Sequence, residues 1–421
     1  MRSLKDRLNS IKDHIKDPLY RNILNDQEIS NTNLLNSIPG SEIVHYEEGS
    51  VLHRCITYPL PFPWGNKSVV GEYNLYPLLW LDKVTELRET SLDKILFFDL
   101  ETTGLAGGTG TYPFLAGIGY FSDNSFMVQQ VFLLDYAYEY AYLMHLNELF
   151  KSYEVIITFN GKSYDIPLIN TRYKIHKIPY ELKFPAHIDL LHPSRNLWKQ
   201  SLENVKLKTL EFNILGYDRI GDIPGSEIPS AYFEYLTQGK VDDIVRVFEH
   251  NVYDIVSLAC LSQSITQLII PENTSYTHTA EELSGTGKLY YLRKEYESAI
   301  IFYEMALVTA ESIKLKTDIY RYLAQGCKKI RDYSKALLYW EKLATISSYY
   351  KPVALIEMSM IYEHYKKDYL KSLQLVKECE NCESYDIFLK SKKRKEETKE
   401  LSKRMNRLVI KCKRKGLSFY E

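Results

Sequence analysis

The sequence predicts an α/β domain with a mixed sheet, followed by an all-α repeat domain. Strand-like segments and then alternating strands and helices occupy residues 94–270, whereas only helix-like segments follow residue 284. Consecutive strands that give way to strand–helix alternation are typical of a mixed sheet. At 421 residues the chain is also long enough for two or three domains.

The first domain is expected to be built on apolar strands. Short runs rich in β-branched and aromatic residues, separated by polar turns, predict buried strands, and apolar residues at helical spacing predict helices. The turn SDNS (122–125) separates two of the strands. The predicted strands are 94–100 (KILFFDL), 111–121, 126–134, 154–159 (EVIITF) and 186–190, and the predicted helices are about 137–152 and about 240–269.

Two segments are expected to lie outside this domain. Residues 1–93 are predicted to be an N-terminal extension that lies against it. They open with a polar helical stretch and continue as short strands and turns, interrupted at PLPFPWGN (59–66). The segment 271–283, which begins with PENTS, is predicted to be a linker to the helical part of the chain.

Residues 284–387 are predicted to form repeated pairs of helices. Similar segments start at intervals of 37 and then 36 residues, and an amphipathic segment precedes each of them. A helix pair that recurs at about 34 residues is typical of tetratricopeptide repeats, which stack into solenoids with grooves for protein partners. Ala299, Ala336 and Ser372 are expected at equivalent tight contacts. The aligned segments are YESAIIFYEMAL (296–307), YSKALLYWEKLA (333–344) and YLKSLQLVKECE (369–380).

The C-terminal segment 388–421 is strongly basic and is predicted to form one helix. Between residues 390 and 415 it carries thirteen Lys or Arg against three Glu. Two roles are open: its apolar stripe would cap the repeats, and its basic face would contact phosphates. The apolar stripe consists of Leu401, Met405, Leu408, Val409 and Cys412.

The overall composition excludes some classes of protein. A net charge of -1 excludes a uniformly basic nucleic-acid coat but not a local basic surface. We find no apolar run that would predict a membrane span, and the charged N-terminus lacks the apolar core of a secretory signal. The six cysteines are scattered, which suits a reducing compartment. We therefore expect a cytoplasmic protein without a membrane partner.

Acidic residues at strand ends and on helices suggest a shared site. Asp99 and Glu101 end a buried strand and, being two residues apart, point to the same side. Asp165 starts a helix after a neighbouring strand, and functional groups in such sheets gather at strand ends. His250 and Asp254 lie four apart, on one face of the long helix. For Asp99 and Glu101 alone, an ordinary strand end in contact with solvent is the alternative.

Four carboxylates and a histidine have the chemistry of a site for hard divalent cations. Carboxylate oxygens suit Mg²⁺ or Mn²⁺ better than zinc. Two such ions about 4 Å apart would hold the attacking and leaving oxygens of a phosphodiester. His250 is the candidate general base, because an imidazole ordinarily titrates near neutral pH and can take a proton from the attacking water.

Three motifs in this order resemble those of the DEDD (DnaQ-like) exonucleases, whose members have an RNase H-like fold. The motifs are DLETTG (99–104), FNGKSYD (159–165) and HNVYD (250–254). Segments at 187–198 and 207–211 are similar to those of the YprB type, also called mitomycin C repair factor B-like. Members of that type join such a nuclease domain to C-terminal tetratricopeptide repeats. The resemblance covers residues from about 94 to 421.

This resemblance implies a 3′→5′ exonuclease that acts on DNA in repair, together with a helicase partner. It also implies two divalent cations, Mg²⁺ or Mn²⁺. Asp99 would contact both of them, and Glu101 and Asp254 would complete the tighter site. Asp165 would hold the second ion.

The resemblance further implies contacts with the terminal nucleotide. The backbone at Thr102, Thr103 and Gly104 would approach it closely. The side chains of Asn160 and Lys162 would contact its sugar or phosphate.

Some assignments stay open at the level of sequence. His250 lies four residues before Asp254, where the superfamily usually places a tyrosine, whereas its histidine usually lies five residues before; the role of general base is therefore open. Asp189 could contact metal or play a supporting or structural role. The alternative functions are an exoribonuclease with the same site, and a scaffold whose repeats recruit a partner while the nuclease domain is a relic.

Overall fold

The structure of this protein is a computed structural model that describes residues 31–72, 74–87, 90–104, 109–179, 182–270, 278–382 and 394–417. The chain divides into two compact units. The first comprises Met1–Ser194 and Asn204–Gln267, and the second comprises Arg195–Glu203 and Leu268–Glu421. The polar helical stretch predicted at the N-terminus precedes residue 31 and lies outside the described residues, as do 271–277 of the predicted linker.

A seven-stranded mixed sheet forms the centre of the first unit, and two short strands pair separately. The strands are β1 (Ser41–Tyr46), β2 (Gly49–Pro59), β3 (Phe62–Trp64), β4 (Lys67–Val69), β5 (Ile95–Thr102), β6 (Pro113–Ser122), β7 (Ser125–Leu133), β8 (Val155–Thr158) and β9 (Ala186–Asp189). The order in the sheet is β1-β2-β7-β6-β5-β8-β9. In this order, each neighbouring pair from β1 through β2, β7 and β6 to β5 is antiparallel. Strands β8 and β9 run parallel to β5. The predicted mixed sheet is confirmed.

Strand β5 lies inside the sheet, between β6 and β8. Its first four residues, Ile95–Phe98, are all fully buried. A strand that is covered on both faces has a continuous apolar sequence rather than an alternating one, which is the pattern that ILFF shows. The polar residues that follow therefore begin at the end of a rigid, buried element.

Part of the predicted extension belongs to the same sheet. Strand β2 pairs with β7 from Val51 opposite Leu133 to Pro59 opposite Ser125, and β1 pairs with the outer side of β2. Residues 41–59 are thus sheet strands, and not a layer that lies against the sheet. The segment PLPFPWGN leads into the β3–β4 hairpin, whose strands pair from Phe62 to Val69.

Helices connect and cover these strands. Residues 31–37 are helical as well, and a π-helical turn, Glu211–Leu215, directly follows one of the helices. The helices that begin before residue 270 are α1 (Tyr76–Asp82), α2 (Glu139–Phe150), α3 (Asp165–Ile175), α4 (Leu191–Trp198), α5 (Leu207–Leu210), α6 (Ile228–Gln238) and α7 (Asp242–Ile269). The helices predicted near 137–152 and 240–269 are therefore present.

Helix α7 lies very close to strand β6. A Cβ atom at Gly117 would be 2.2 Å from Oδ1 of Asn251, so only glycine leaves room for the helix at this point. Gln130 of β7 donates hydrogen bonds to the carbonyl of Phe248 (2.8 Å) and to Oδ1 of Asn251 (3.0 Å). This packing places the turn of α7 that carries residues 250–254 next to the end of β5.

Helix α7 is also apolar enough, by length and composition, to cross a bilayer, although the sequence predicted no such span. Most of the apolar stretch of this helix is buried inside the protein. A core helix of a globular domain meets the same criteria, because it too is apolar around much of its circumference.

The second unit contains consecutive pairs of helices. In each pair, the residue two positions before the second helix has a positive φ: 65° at Lys294, 66° at Arg331 and 57° at Lys367. The fourth residue of each second helix, Ala299, Ala336 or Ser372, is buried, which confirms the expected equivalence. The paired helices are α8 (Ala280–Leu292) with α9 (Tyr296–Thr309), α10 (Ile313–Lys329) with α11 (Tyr333–Ile346), and α12 (Lys351–Ile361) with α13 (Tyr369–Glu380). Helix α8 thus begins inside the predicted linker.

The basic C-terminal segment forms helix α14 (Arg394–Arg414), which packs against α13. Leu401, Leu408 and Cys412 of the predicted apolar stripe are buried, and Met405 and Val409 are half-buried. The stripe therefore covers the end of the helix pairs, as the capping hypothesis predicts.

Basic side chains of α14 also converge on one buried carboxylate, that of Glu363 in the π-helical turn Tyr362–Lys366. Arg407 donates to both of its oxygens (2.8 and 2.9 Å), Lys411 donates to Oε1 (2.8 Å), and Arg404 donates to Oε2 (3.3 Å). Part of the basic face of α14 is thus engaged within the second unit.

Candidate active site

Three of the predicted site residues form a tight group. Ligand atoms of Glu101, His250 and Asp254 all lie within 4.8 Å of one another. Glu101 comes from β5, whereas His250 and Asp254 come from successive turns of α7. The close packing of α7 on the sheet therefore brings together residues that are about 150 positions apart in sequence.

The other two predicted acids border this group. Asp99 lies on β5 two residues before Glu101, and Asp165 is the first residue of α3, where its side chain is buried. Asn251, the residue after His250, donates a hydrogen bond to Asp99, and the hydroxyl of Tyr164, the residue before Asp165, lies 3.1 Å from that of Thr102. All four predicted acids therefore face one region of the first unit.

Without a cation, this concentration of acids favours protonated carboxyl groups. Burial, with the charges of neighbouring acids, raises the pKa of Asp99 well above its usual range. Burial likewise raises the pKa of Glu101 to about 8, although the charge of His250 opposes the shift. Burial and the charge of Asp189 raise the pKa of Asp165 to about 7. A bound cation would reverse these shifts, because it stabilises the ionised forms.

The donor set fits a hard divalent cation. Oε1 of Glu101 is buried and has no hydrogen-bond partner among the described residues. Leaving a buried carboxylate oxygen without a partner is costly, and a cation would supply the missing interaction. Carboxylate oxygens with one imidazole nitrogen nearby match the preferences of Mg²⁺ and Mn²⁺.

Asn251 connects the acids on the sheet to helix α7. Its Nδ2 donates a hydrogen bond to Oδ2 of Asp99 (3.3 Å), and its Oδ1 accepts one from Gln130. Asn251 is fully buried, so these bonds fix the orientation of its amide. Its contribution is to hold the Asp99 carboxylate relative to the turn that carries His250 and Asp254.

A buried arginine lies behind Asp254. The guanidinium of Arg219 donates two hydrogen bonds to Glu211, both 2.6 Å long, and a further one to Oδ1 of Asp254. Its Nη1 lies 3.6 Å from Oδ2 of Asp222. The side chains of Glu211, Arg219 and Asp222 are almost completely buried, so water screens this network little.

His250 belongs to the same network. Its Nδ1 lies 2.7 Å from Oδ1 of Asp222, and its Nε2 lies 3.5 Å from Oδ2 of Asp254. Burial lowers the pKa of His250, but the hydrogen bond to Asp222 and the charges of Asp254 and Glu101 outweigh it and raise the pKa to about 9. In the cation-free site the imidazole is therefore protonated at neutral pH and acts as a hydrogen-bond donor.

Asp189 organises the loop that leads to Asp165. Its buried carboxylate accepts hydrogen bonds from the backbone N–H groups of Asn160 (2.8 Å), Lys162 (3.2 Å) and Leu191 (3.1 Å). Asn160 has a φ of 69°, a left-handed conformation that these bonds help to hold. Of the roles left open for Asp189, its contacts support a structural one.

The residues predicted to contact the nucleotide mainly hold the turn after β5. The hydroxyl of Thr102 donates to the carbonyl of Gly104 (2.9 Å) and lies 3.1 Å from the hydroxyl of Tyr164. Thr103 accepts a hydrogen bond from the backbone N–H of Tyr112 (2.9 Å). These bonds give the turn a defined shape beside Glu101, and contact with a nucleotide stays a prediction.

The ammonium group of Lys162 pairs with a partner from the predicted extension. It forms an ion pair with Asp82 at the end of α1, and Asp82 also accepts a hydrogen bond from the backbone N–H of His187 (3.2 Å). The Lys162 side chain is 37% exposed, so its ammonium group is accessible from solvent. Binding of a phosphate by Lys162 stays a prediction as well.

Four residues of the site escaped the sequence analysis: Glu211, Arg219, Asp222 and Asn251. Asn251 could have been found, because it lies in HNVYD three residues before Asp254 and so on the same side of the helix. The other three come from a π-helical turn and the loop after it, which carry no periodic pattern. Only the fold reveals their proximity to Asp254.

Comparisons with known proteins show which family the chain resembles. Residues 96–266 match the model of a family within the RNase H superfamily. A protein of Bacillus subtilis (strain 168) named "Uncharacterized protein YprB" is 30% identical over 341 residues, which cover 79% of this chain and 81% of the relative. The matched region of the family model includes all five predicted catalytic residues, from Asp99 to Asp254.

Proposed function

The chain belongs to the YprB family and carries an RNase H superfamily domain, and from this premise we propose that it is a metal-dependent 3′→5′ exonuclease that acts on DNA. The observation that carries the proposal is the convergence of Glu101, His250 and Asp254, with a buried oxygen of Glu101 left without a partner. The motif resemblance supports the direction of digestion, and the carboxylates support phosphodiester hydrolysis.

The four acids would share two divalent cations, Mg²⁺ or Mn²⁺. Asp99 would contact both, Glu101 and Asp254 would complete one site, and Asp165 would hold the second ion. When bound, the cations would stabilise negative charge on the phosphate and favour ionisation of the attacking water. Asn251 and Arg219 keep Asp99 and Asp254 oriented for this role, through the hydrogen bonds that each donates.

His250 is proposed to exchange a proton with the attacking water. Asp222 fixes its Nδ1, which leaves Nε2 on the side of the acids. Because the imidazole is protonated in the cation-free site, it has to lose that proton before it can act as a base. Two of the charges that raise its pKa belong to Glu101 and Asp254, and cations bound there would offset them.

The proposal is tested on end-labelled DNA with Mg²⁺, Mn²⁺ or EDTA. DNA labelled at its 5′ end should shorten progressively, and DNA labelled at its 3′ end should release a labelled mononucleotide in the first step. EDTA and the variant Glu101→Gln should abolish both results. Internal cuts, or digestion that continues in EDTA, would contradict the proposal.

RNA is the alternative substrate, because the same carboxylate chemistry cleaves either backbone. The same assay on RNA of identical sequence decides between them, and faster digestion of RNA would favour an exoribonuclease. The scaffold alternative predicts no digestion of either substrate. All four acids of the motifs are present in the sequence, which supports an enzyme over a relic domain.

The helix pairs of the second unit are proposed to be tetratricopeptide-like repeats that bind a protein partner. The family resemblance suggests a helicase and a role in DNA repair. Survival of a strain that lacks this protein, after DNA cross-linking, would test the role in repair. Survival equal to that of the parent strain would argue against it.

A further inference from the structure

We infer that Arg219 is a positioning residue that holds the Asp254 carboxylate for cation binding, and that Glu211 anchors it. This inference rests on the proposed function, since it concerns how the same site is built. Arg219 contacts Asp254 and does not need to contact substrate. The predicted consequence is a loss of affinity for divalent cations when the contact is removed.

The geometry of the anchor supports a positioning role. Glu211 binds Nε and Nη2 of Arg219 with two hydrogen bonds of 2.6 Å, a bidentate arrangement that fixes the plane of the guanidinium. In that plane, Nη2 also donates to Oδ1 of Asp254. Asp254 therefore meets a donor whose position is already set by a residue outside the acid group.

Neighbouring acids offset the positive charge of Arg219. Glu211 neutralises the guanidinium, and Asp222 lies 3.6 Å away as a second acid. A lone arginine would repel an incoming cation, but an arginine paired with a buried glutamate presents little net charge. The pair contacts the acid group through the hydrogen bond from Arg219 to Asp254.

A separate element holds the turn that carries this pair. The backbone N–H of Asn66, in the β3–β4 hairpin, donates to the carbonyl of Leu215 (2.7 Å). A Cβ atom at Gly65 would lie 2.4 Å from the same carbonyl oxygen, so the hairpin fits closely against the turn. Trp64 stacks on Tyr217, with ring centroids 3.8 Å apart. This contact gives PLPFPWGN, whose role was not evident from the sequence, a place in supporting the site.

The test compares two buried arginine–glutamate pairs of the first unit. Replacing both members by glutamine keeps the summed charge of a pair at zero, so the double variant Glu211→Gln with Arg219→Gln removes the contact to Asp254 without changing net charge. The matched control is Glu139→Gln with Arg172→Gln. That pair is equally buried and bidentate, and its glutamate belongs to α2 rather than to the acid group.

The measurement is Mn²⁺ binding to the full-length protein without nucleic acid, by electron paramagnetic resonance. Binding at the proposed site is defined as the Mn²⁺ binding of the wild type that the Glu101→Gln variant lacks. We expect the Glu211/Arg219 variant to bind Mn²⁺ about 10–100-fold more weakly than wild type, the usual effect of removing a residue that orients a metal ligand. The control variant should keep wild-type affinity, even where its melting temperature falls. Equal affinity in the two double variants would overturn the inference.

Two further measurements keep the result interpretable. If the Glu211/Arg219 variant does not fold, Arg219→Lys replaces it. A lysine ammonium keeps the charge but cannot bond both acids in the same fork, so weaker Mn²⁺ binding is again expected, and wild-type affinity would overturn the inference. Nuclease activity of the wild type is measured in parallel. A wild type that binds no Mn²⁺ and cleaves nothing refutes the proposed function, whereas normal binding and cleavage with no effect of the variants refutes this inference alone.

Discussion

Glu101 and Asp165 illustrate how the fold changes the behaviour of single residues. An ordinary glutamate or aspartate is ionised at neutral pH, but burial beside other acids raises the pKa of Glu101 to about 8 and that of Asp165 to about 7. Such proximity is destabilising in the absence of a counter-ion. Without a cation, the buried acids therefore destabilise the folded protein at the place where a cation would be bound.

This cost predicts how stability depends on pH. In both residues the pKa is higher in the folded state than in the unfolded state, so the native protein binds more protons and its free energy of unfolding falls as pH rises through that interval. His250, with a pKa raised to about 9, acts in the same direction. In EDTA we expect the melting temperature of the first unit to fall by several degrees from about pH 5 to about pH 8.

The control for this prediction is the same melt with excess Mn²⁺. A cation that binds the ionised acids should stabilise the protein more at about pH 8 than at about pH 5, because protons compete with it at the lower pH. If the melting temperature in EDTA rises over this interval instead, ionisation of the acids does not destabilise the folded protein, and the prediction is wrong.

At the scale of elements, helix α14 shows a basic face that is used inside the protein. Burial raises the pKa of Glu363, but the hydrogen bonds from Arg407 and Lys411 outweigh it and lower the pKa to about 2. Glu363 is therefore charged at any working pH. Its contacts with three basic residues of α14 fasten that helix to the helix pairs.

We predict that Glu363→Gln lowers the stability of the second unit and leaves DNA affinity unchanged. The loss should be about 1–3 kcal/mol, because charged donors then lose a buried, charged acceptor. Thermal melting measures it. The control Glu357→Gln breaks a half-exposed pair with Lys328 and should cost less than about 1 kcal/mol.

Measurements of DNA binding distinguish the capping role of α14 from the alternative role, contact with phosphates. If the helix bound phosphates, releasing three basic side chains from Glu363 would strengthen DNA binding and steepen its dependence on salt concentration. An unchanged salt dependence together with a lower melting temperature supports the capping role. Tighter DNA binding by Glu363→Gln would favour phosphate contact.

At the scale of the whole molecule, most helices and strands, and the candidate site residues on them, were predictable from the sequence. Continuous apolar runs located β5 and β8, and helical spacing located α7 and the helix pairs. The same patterns placed Asp99, Glu101 and Asp165 at the ends of predicted elements and Asp254 on one face of the long helix. These features were predictable because periodicity and composition depend only on local sequence.

Features that depend on tertiary pairing were not predictable. The sequence indicated short strands before residue 94 but not that β2 pairs with β7, since strand partners are chosen by the packed core. Likewise, Arg219 lies in the loop after the π-helical turn, and only the tertiary fold brings it to Asp254 of α7. The general base also could not be settled from spacing, since the state of His250 depends on Asp222, a residue 28 positions away.

The central claim is that the clustered acids bind cations that drive phosphodiester cleavage, and Asp99→Asn tests it most directly. We predict that this variant lowers the Mn²⁺-dependent exonuclease rate by more than about a hundredfold. That loss is larger than the usual effect of changing a residue that only orients a metal ligand. Its melting temperature in EDTA should equal or exceed that of the wild type, because one source of repulsion is removed. An Asp99→Asn protein that digests DNA at the wild-type rate would contradict the account.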